Sequence, residues 1–208
     1  MTKTKDRILG KQNAVRSSYF SNNNKFNRAS LSESDLELDY YRMMQFMLPE
    51  GSDFAVQPES IMLTINGKNV RYTSDGRIRE PMLFPIYHEV KYESDLGKPD
   101  VQEKLEAAAE YYFNKGSGFE VYTENDIRIG HQAENISMRM SSLHHDKPIR
   151  DYELLSKGLT NRYYSIDEMY TLAEQKGLAP SVVNRCVAHK LFICDLTISW
   201  PNIGLKAT

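Results

Sequence analysis

Four residues in the first half of the chain suit metal-assisted hydrolysis: Glu37, Asp75, Glu89 and Lys91. Glu89 and Lys91 lie two positions apart at the end of an apolar run that extends from residue 82 to residue 92. A strand alternates its side chains, so Glu89 and Lys91 share one face while Val90 points the other way. An isolated pair of this kind is most often a solvated pair on a strand edge. The pair therefore indicates a site only together with further acids.

Asp75 and Glu37 are the further acids. Asp75 precedes Gly76 in a turn before the strand, and Glu37 lies near the first turn of a predicted helix. Each has an ordinary alternative, since aspartate before glycine is common in turns and the helix dipole favours an acid in a first turn. Taken in order, a helix acid, a turn acid and then acid-x-lysine on the next strand are typical of divalent-metal nucleases of the restriction-endonuclease superfamily.

The chemistry of phosphodiester hydrolysis explains these residue types. Mg²⁺ takes oxygen ligands at about 2.1 Å, so carboxylates must converge on it. We expect Glu37, Asp75, Glu89 and the backbone carbonyl of Val90 to be its ligands, and Mn²⁺ to substitute for it. The metal neutralises the scissile phosphate and helps to generate hydroxide. Lys91 is expected to orient the attacking water and to stabilise developing negative charge.

The elements that must position these residues follow from local signals. Ser32 or Ser34 can cap a helix that ends before Pro49, and its expected apolar stripe is Leu36, Tyr40, Met43, Met44 and Met47. The Asn66-Gly67 pair predicts a hairpin between residues 54–65 and 68–73. A strand ending at Lys91, a helix over 99–114, a short strand over 119–122 and a helix over 124–142 follow. We predict a mixed α/β domain with one central sheet.

The last quarter of the chain has the element order of a winged helix. A capping box at Ser165 opens one helix, Gly177 ends it, and a second helix precedes a terminal hairpin. The second helix or its end carries Asn184, Arg185 and Lys190, which can read DNA. The same module can equally dock a protein, and the residues leave both roles open.

Composition and charge restrict the remaining possibilities. No run of eighteen apolar residues occurs and the N-terminus has no apolar signal region, so neither a membrane span nor a secretory signal is expected. Two cysteines without metal-ligand spacing favour a cytoplasmic setting. Residues 1–30 hold seven Lys and Arg against one acid. This basic arm either binds a polyanion, with Lys25 and Arg28 as candidate DNA contacts, or is a solubilising tail.

Short motifs around these residues resemble TnsA, the endonuclease subunit of heteromeric bacterial transposons. They are 34–38 (SDLEL), 73–75 (TSD), 89–91 (EVK), 111–115 (YYFNK), 119–123 (FEVYT) and 134–136 (ENI). The resemblance covers roughly residues 30–205 and places Glu37, Asp75, Glu89 and Lys91 at the catalytic positions. Two departures are that the family often has Gln where Glu89 stands, and that the superfamily's proline before the central aspartate is Ser74 here. Gln57 is a candidate DNA-facing or supporting residue.

This resemblance implies a fold, a task and partners. The expected fold is a restriction-endonuclease-like core over 31–146, followed by a small winged-helix-like domain over 147–208. TnsA-like proteins cut the 5′ ends of a transposon in double-stranded DNA, while a partner transposase cuts and joins the 3′ ends. An AAA+ ATPase regulator contacts the C-terminal domain, and a nucleoid-associated location follows. CRISPR-associated transposons carry compact versions of this length. The alternatives are a stand-alone restriction or repair nuclease and a catalytically inactive DNA-binding or scaffolding subunit.

Overall fold

The computed structural model describes residues 18–19, 30–31, 34–49 and 51–208. Lys25 and Arg28, the predicted phosphate contacts of the arm, lie outside the described residues. The helices are α1 (Asp35–Met47), α2 (Glu93–Leu96), α3 (Pro99–Asn114), α4 (Glu124–Ile127), α5 (Gln132–Arg139), α6 (Ile149–Ser156), α7 (Ile166–Gln175) and α8 (Ser181–Ala188). The strands are β1 (Ser18–Tyr19), β2 (Ser30–Leu31), β3 (Asp53–Val56), β4 (Ile61–Ile65), β5 (Lys68–Tyr72), β6 (Gly76–Arg79), β7 (Ile86–Val90), β8 (Gly118–Tyr122), β9 (Tyr164–Ser165), β10 (Phe192–Ile193) and β11 (Gly204–Ala207). Two short 3₁₀ helices cover Met140–His144 and Trp200–Asn202.

The chain packs as two compact units. One contains residues up to Tyr41 and from Pro49 to Tyr122, and the other contains Arg42–Leu48 and Thr123–Thr208. This division by packing differs from the predicted domains 31–146 and 147–208, and those boundaries stay predictions. In the part of the chain that the structure describes, no helix combines the length and apolar character needed to cross a membrane.

A mixed four-stranded sheet forms the centre of the first unit. Its strand order is β3-β6-β7-β8, with β3, β6 and β7 antiparallel and β7 parallel to β8. Parallel neighbours need a crossover, which helix α3 provides. Tyr112 of α3 stacks on Tyr87 of β7 with ring centroids 3.9 Å apart, and it also stacks on Phe119 of β8. The predicted mixed α/β architecture is therefore confirmed.

Local capping and turn chemistry explains the first elements of this unit. The Ser34 hydroxyl accepts a hydrogen bond from the Glu37 amide at 3.1 Å, so Ser34 is the residue that caps α1. Asn66 and Gly67 both have φ in the left-handed region, at 50° and 73°, as a tight hairpin between β4 and β5 requires. The predicted cap and hairpin are confirmed, but the extended run predicted over 54–65 is divided into β3, which pairs with β6, and β4, which pairs with β5 in a separate two-stranded sheet.

The second unit surrounds a separate hydrophobic core. Helices α6, α7 and α8 contribute Leu155, Met169 and Val183, which are fully buried. A three-stranded sheet of order β10-β11-β9 completes the packing. From α6 onward the element order is helix, strand, helix, helix, strand, strand.

Several local predictions were wrong. The strand that ends near Lys91 begins only at Ile86, because Pro81 and Pro85 bracket a loop whose Met82 and Phe84 are 103% and 79% exposed. Met47, expected on the apolar stripe of α1, is 51% exposed.

The single helix predicted over 124–142 is also wrong. It is broken into α4, α5 and a 3₁₀ turn. Gly130 interrupts it with φ of 51°, where a Cβ atom would collide with the carbonyl oxygen of Thr197.

Candidate active site

Strand β7 brings Asp75 and Glu89 into one buried network. The Asp75 amide donates to the His88 carbonyl at 2.9 Å, which continues the pairing of β6 with β7 by one residue. The Asp75 carboxylate in turn accepts a hydrogen bond from the Val90 amide at 2.8 Å. Asp75 is 4% exposed and Glu89 is 6% exposed. The turn acid and the strand acid therefore lie at the same end of β7, as their spacing predicted.

Each oxygen of the Glu89 carboxylate has its own donor. The Tyr72 hydroxyl donates to Oε2 at 2.6 Å, and the Lys91 ammonium donates to Oε1 at 2.6 Å. The same ammonium also donates to the Val90 carbonyl at 3.0 Å. Lys91 thus bridges a carboxylate oxygen and a carbonyl oxygen that were both predicted to be metal ligands.

The buried charges of this network act strongly on one another. Burial raises the pKa of Asp75 well above its ordinary value, and the neighbouring charges of Glu89 and Glu37 raise it further. The charge of Lys91 and the hydrogen bond from the Val90 amide lower the pKa of Asp75, but by less than burial and the two acids raise it. Burial alone would lower the pKa of Lys91, but Glu89 and Asp75 outweigh it and the pKa is raised. Lys91 is therefore a cation that the two acids hold in place.

Glu37 joins this group through its charge. It lies half-buried in the first turn of α1 and contributes to the electrostatic balance of both Asp75 and Lys91. Among the described residues, however, no three His, Cys, Asp or Glu side chains form a ready group of metal ligands. Of the two acids that act on Asp75, Glu89 has the larger effect and Glu37 the smaller.

The donor set of this pair suits a hard divalent cation. Mg²⁺ is commonly held by only one or two protein carboxylates and keeps several waters. Burial and, after it, the charge of Glu89 raise the pKa of Asp75, and such an ion would offset both effects. Asp75, Glu89 and the Val90 carbonyl therefore fit the predicted metal, with Lys91 as the group that competes for two of the same oxygens.

Aromatic side chains support the strand from its other face. The Tyr40 hydroxyl lies 2.6 Å from Nδ1 of His88, and both side chains are almost fully buried. Burial lowers the pKa of His88 to about 4, so the ring is neutral at ordinary pH. Its approach to Glu120 at 3.7 Å is therefore not an ion pair. The hydrogen bond between Tyr40 and His88 fixes helix α1 to strand β7 beside the site.

Gln57 and Ser74 lie next to Asp75. The Gln57 amide donates to the Asp75 carbonyl at 2.9 Å, and its own φ of 43° is unusual for a residue other than glycine. Nε2 of Gln57 is buried without a hydrogen-bond partner among the described residues. Ser74 is fully buried, and its hydroxyl lies 3.5 Å from that of Tyr112. Gln57 thus contacts the turn that carries Asp75, while its role toward DNA stays a prediction.

The candidate DNA-reading residues near α8 make contacts within the second unit. Arg185 lies 3.8 Å from Asp151 and donates to the Asp146 carbonyl at 3.5 Å. Lys190 donates to the carbonyls of Met47 and Leu48 at 2.9 and 3.2 Å. Asn184 donates weakly to the Tyr170 hydroxyl at 3.4 Å. A role in DNA reading stays a prediction for these three residues, and their internal contacts do not favour it.

Sequence reasoning missed Tyr72, although it binds Glu89 directly. The clue in the sequence was the position of Tyr72, which lies three residues before Asp75 at the end of strand β5. A tyrosine buried at such a place needs a partner for its hydroxyl. The sequence did not show that the partner would come from β7, which lies beyond an intervening strand.

The fold and the site together define an α/β domain with a buried carboxylate and lysine centre. Residues 49–124 match the family model described as TnsA-like endonuclease N terminal, a segment that covers less than half of the chain. This segment is therefore similar to the TnsA-like endonuclease N-terminal domain, and the resemblance inferred from its motifs is confirmed for these residues. The match includes Asp75, Glu89 and Lys91 but not Glu37. No curated protein matches the chain.

Proposed function

We propose that this protein is a Mg²⁺-dependent DNA endonuclease that cuts the 5′ ends of a transposon together with a partner transposase. The observation that carries the proposal is the pair of buried carboxylates, Asp75 and Glu89, with Lys91 hydrogen-bonded to Glu89, within the segment that matches the TnsA-like endonuclease family. A structural ion pair alone does not explain two carboxylates buried beside one lysine. A buried acid such as Asp75, whose pKa is raised by burial and by a neighbouring charge, is typical of catalytic centres.

Each residue has a separate task in this proposal. Asp75, Glu89 and the Val90 carbonyl would hold the ion, with Glu37 adding negative charge nearby. When bound, Mg²⁺ or Mn²⁺ supplies charge neutralisation at the phosphate and an acidified water. Tyr72 holds Oε2 of Glu89, which leaves Oε1 directed toward Lys91. Lys91 is then placed to donate to an oxygen that gains negative charge during the reaction.

In the same proposal, the second unit binds a partner protein. Its order of helices and strands supports a winged-helix-like module. Lys190, which follows its second central helix, donates to two carbonyls of the same unit. We therefore favour docking of the transposase or of an AAA+ regulator over base reading by this helix. The setting is the cytoplasm, in association with the nucleoid.

The decisive experiment is strand nicking of transposon-end DNA with the partner transposase and Mg²⁺. Asp75→Ala should abolish 5′ nicking while the transposase still acts at the 3′ ends. Glu120→Ala is the matched control, because Glu120 is an exposed acid on the neighbouring strand β8. Equal nicking by the wild type and Asp75→Ala would refute the assignment.

A second candidate is an inactive subunit that binds DNA or scaffolds the complex. The observation in its favour is that Lys91 already satisfies Oε1 of Glu89 and the Val90 carbonyl. Calorimetry with Mn²⁺ separates the two, since an inactive subunit would bind no ion at Asp75 and Glu89. Cutting by the protein alone, without a transposase, would instead indicate a stand-alone restriction or repair nuclease.

A further inference from the structure

The second unit contains a cavity that lies outside the carboxylate site. It has a volume of about 380 Å³, and its wall includes Arg139, Arg185, Trp200, Ser181 and Asn184. Among the described residues, no aspartate or glutamate side chain lines it. Its size falls in the usual range for small-ligand sites. The cavity is therefore a basic and polar concavity without an acidic wall.

Arg139 is a buried cation without a carboxylate partner in the described part of the chain. It is 2% exposed, its guanidinium donates to the Asn135 carbonyl at 2.5 Å, and it lies 3.4 Å above the Trp200 ring. Its Nε is buried and has no hydrogen-bond partner among the described atoms. Burial lowers the pKa of Arg139 only to about 10, so it keeps its charge at neutral pH. A buried charge of this kind is costly unless an anion compensates it.

Arg185 adds a second cation to the same wall. Its ion pair with Asp151 is long at 3.8 Å, and its hydrogen bond to the Asp146 carbonyl is at the limit of 3.5 Å. Like Arg139, it has a buried Nε without a partner in the described structure. One arginine is thus uncompensated and the other is only weakly compensated, and both face a cavity that can admit a ligand.

We propose that this cavity binds a phosphate group. Arginine is the residue best suited to phosphate, because its fixed N–H groups match pairs of phosphate oxygens. Ser181 and Asn184 add neutral donors to the two cations, and a tetrahedral phosphate has more acceptors to satisfy them than a carboxylate has. Trp200 offers an aromatic surface beside the anion. The inference depends on this donor set and not on the nuclease assignment.

The phosphate can come from free phosphate, from a nucleotide or from the end of a nucleic-acid strand. All three present the same group, and the volume of the cavity accommodates a mononucleotide-sized ligand. An acidic peptide from a partner protein would present a carboxylate instead. The experiment therefore compares phosphate ligands with a dicarboxylate.

Trp200 provides the measurement, because it is the only tryptophan of the chain and lines the cavity. We would titrate the full chain in EDTA with inorganic phosphate, dAMP, succinate, and a trinucleotide with or without a 5′-phosphate, following tryptophan fluorescence. We expect a saturable change with phosphate ligands and at least about tenfold weaker binding in Arg185→Gln, which loses charged hydrogen bonds. Arg150→Gln removes one exposed arginine outside the cavity wall and should bind as the wild type does.

The outcomes are distinct. A preference for the 5′-phosphorylated trinucleotide over its unphosphorylated form would support the proposal and identify a strand end as the source. No saturable change with any phosphate, unchanged affinity in Arg185→Gln, or binding of succinate alone would overturn it. Ser181→Ala replaces Arg185→Gln if that variant does not fold. Asp75 does not line the cavity, so Asp75→Ala should bind phosphate as the wild type does. EDTA prevents metal-dependent cleavage during the titration, and failure to bind phosphate leaves the nuclease proposal intact.

Discussion

At the scale of single residues, the position of the Glu89 carboxylate depends on a hydroxyl that takes no part in metal binding. Tyr72 donates to Oε2 at 2.6 Å, and burial together with Glu89 raises the pKa of Tyr72, so it stays protonated. Tyr72→Phe removes this donor and leaves a buried carboxylate oxygen unsatisfied. A hydrogen bond to a charged group contributes about 1.5–3 kcal/mol, so we expect roughly 10–100-fold slower cleavage.

The Mg²⁺ dependence of cleavage distinguishes positioning of Glu89 from a general effect on folding. Tyr72→Phe should need more Mg²⁺ for half-maximal rate, because the unheld carboxylate must be ordered when the ion binds. Tyr87→Phe is the matched control, since its hydroxyl donates to Glu59 at 3.1 Å rather than to an acid of the site. An equal shift in both variants would mean that Tyr72 has only a structural role.

Asp75 is predicted to reduce the stability of the metal-free protein. Its raised pKa means that folding disfavours the charged carboxylate. Asp75→Asn keeps an oxygen that can accept from the Val90 amide but removes the charge. Thermal unfolding in EDTA at pH 8 should show a higher Tm for Asp75→Asn, by about 2–4 °C for each kcal/mol gained.

The pH dependence has a definite sign. Between the ordinary pKa of 3.8 and the raised pKa of the folded state, Asp75 loses its proton in the unfolded chain but keeps it in the folded protein. The stability of the metal-free wild type therefore falls as pH rises between these two pKa values. The difference in Tm between Asp75→Asn and the wild type should grow over the same pH range. Glu120→Gln, which neutralises an exposed acid, should show no such growth. A lower Tm for Asp75→Asn at pH 8 would contradict this account.

At the scale of elements, the sequence predicted those features that depend on contacts between residues close together in the chain. The Ser34 cap, the Asn66-Gly67 hairpin and the bounds of α3 all follow from contacts within a few positions. The acids and lysine of the site were found because they lie close to β7 in sequence. What the sequence could not give was long-range: Tyr72 of β5 donates to Glu89 of β7, which lies in a different sheet, and Gly130 lies so close to the Thr197 carbonyl that a Cβ atom would not fit. The chain's local pattern contains no sign of either partner.

The capping box of α7 is an element whose contribution depends on pH. Glu168 accepts from Arg162 and from the Ser165 amide, and these bonds lower its pKa from 4.5 to about 2. The stabilisation is therefore fully present at pH values above the ordinary pKa of Glu168, and it is lost as pH falls toward the lower pKa of the folded state. We expect the stability difference between the wild type and Glu168→Gln to shrink as pH is lowered from 7 to 3, as measured by thermal unfolding.

Asp167→Asn is the control for this prediction. It removes a neighbouring exposed carboxylate and leaves the capping box intact. Its stability difference from the wild type should vary less with pH than that of Glu168→Gln. If the two variants respond to pH in the same way, the hydrogen bonds of Glu168 do not account for the stabilisation.

At the scale of the whole molecule, the second unit begins well before residue 147. Asn135 of α5 donates to the carbonyls of Leu196 and Ile198 at 2.8 Å each, and the His131 amide donates to the Thr197 carbonyl at 2.9 Å. These bonds tie α5 to the loop that precedes the last strand. A chain cut at residue 146 leaves those carbonyls without their donors.

We therefore expect residues 123–208 to unfold cooperatively and residues 147–208 to be much less stable. Each lost kcal/mol lowers the Tm of a small domain by about 4–8 °C, so circular dichroism resolves the difference. Within 123–208, Asn135→Ala should lower the Tm, whereas Asn202→Ala, which removes an exposed hydrogen bond to Ser199, should change it little. Equal melting of the two fragments would instead favour the domain boundary predicted at 146, because the bonds from α5 would then contribute nothing to the fold of the C-terminal module.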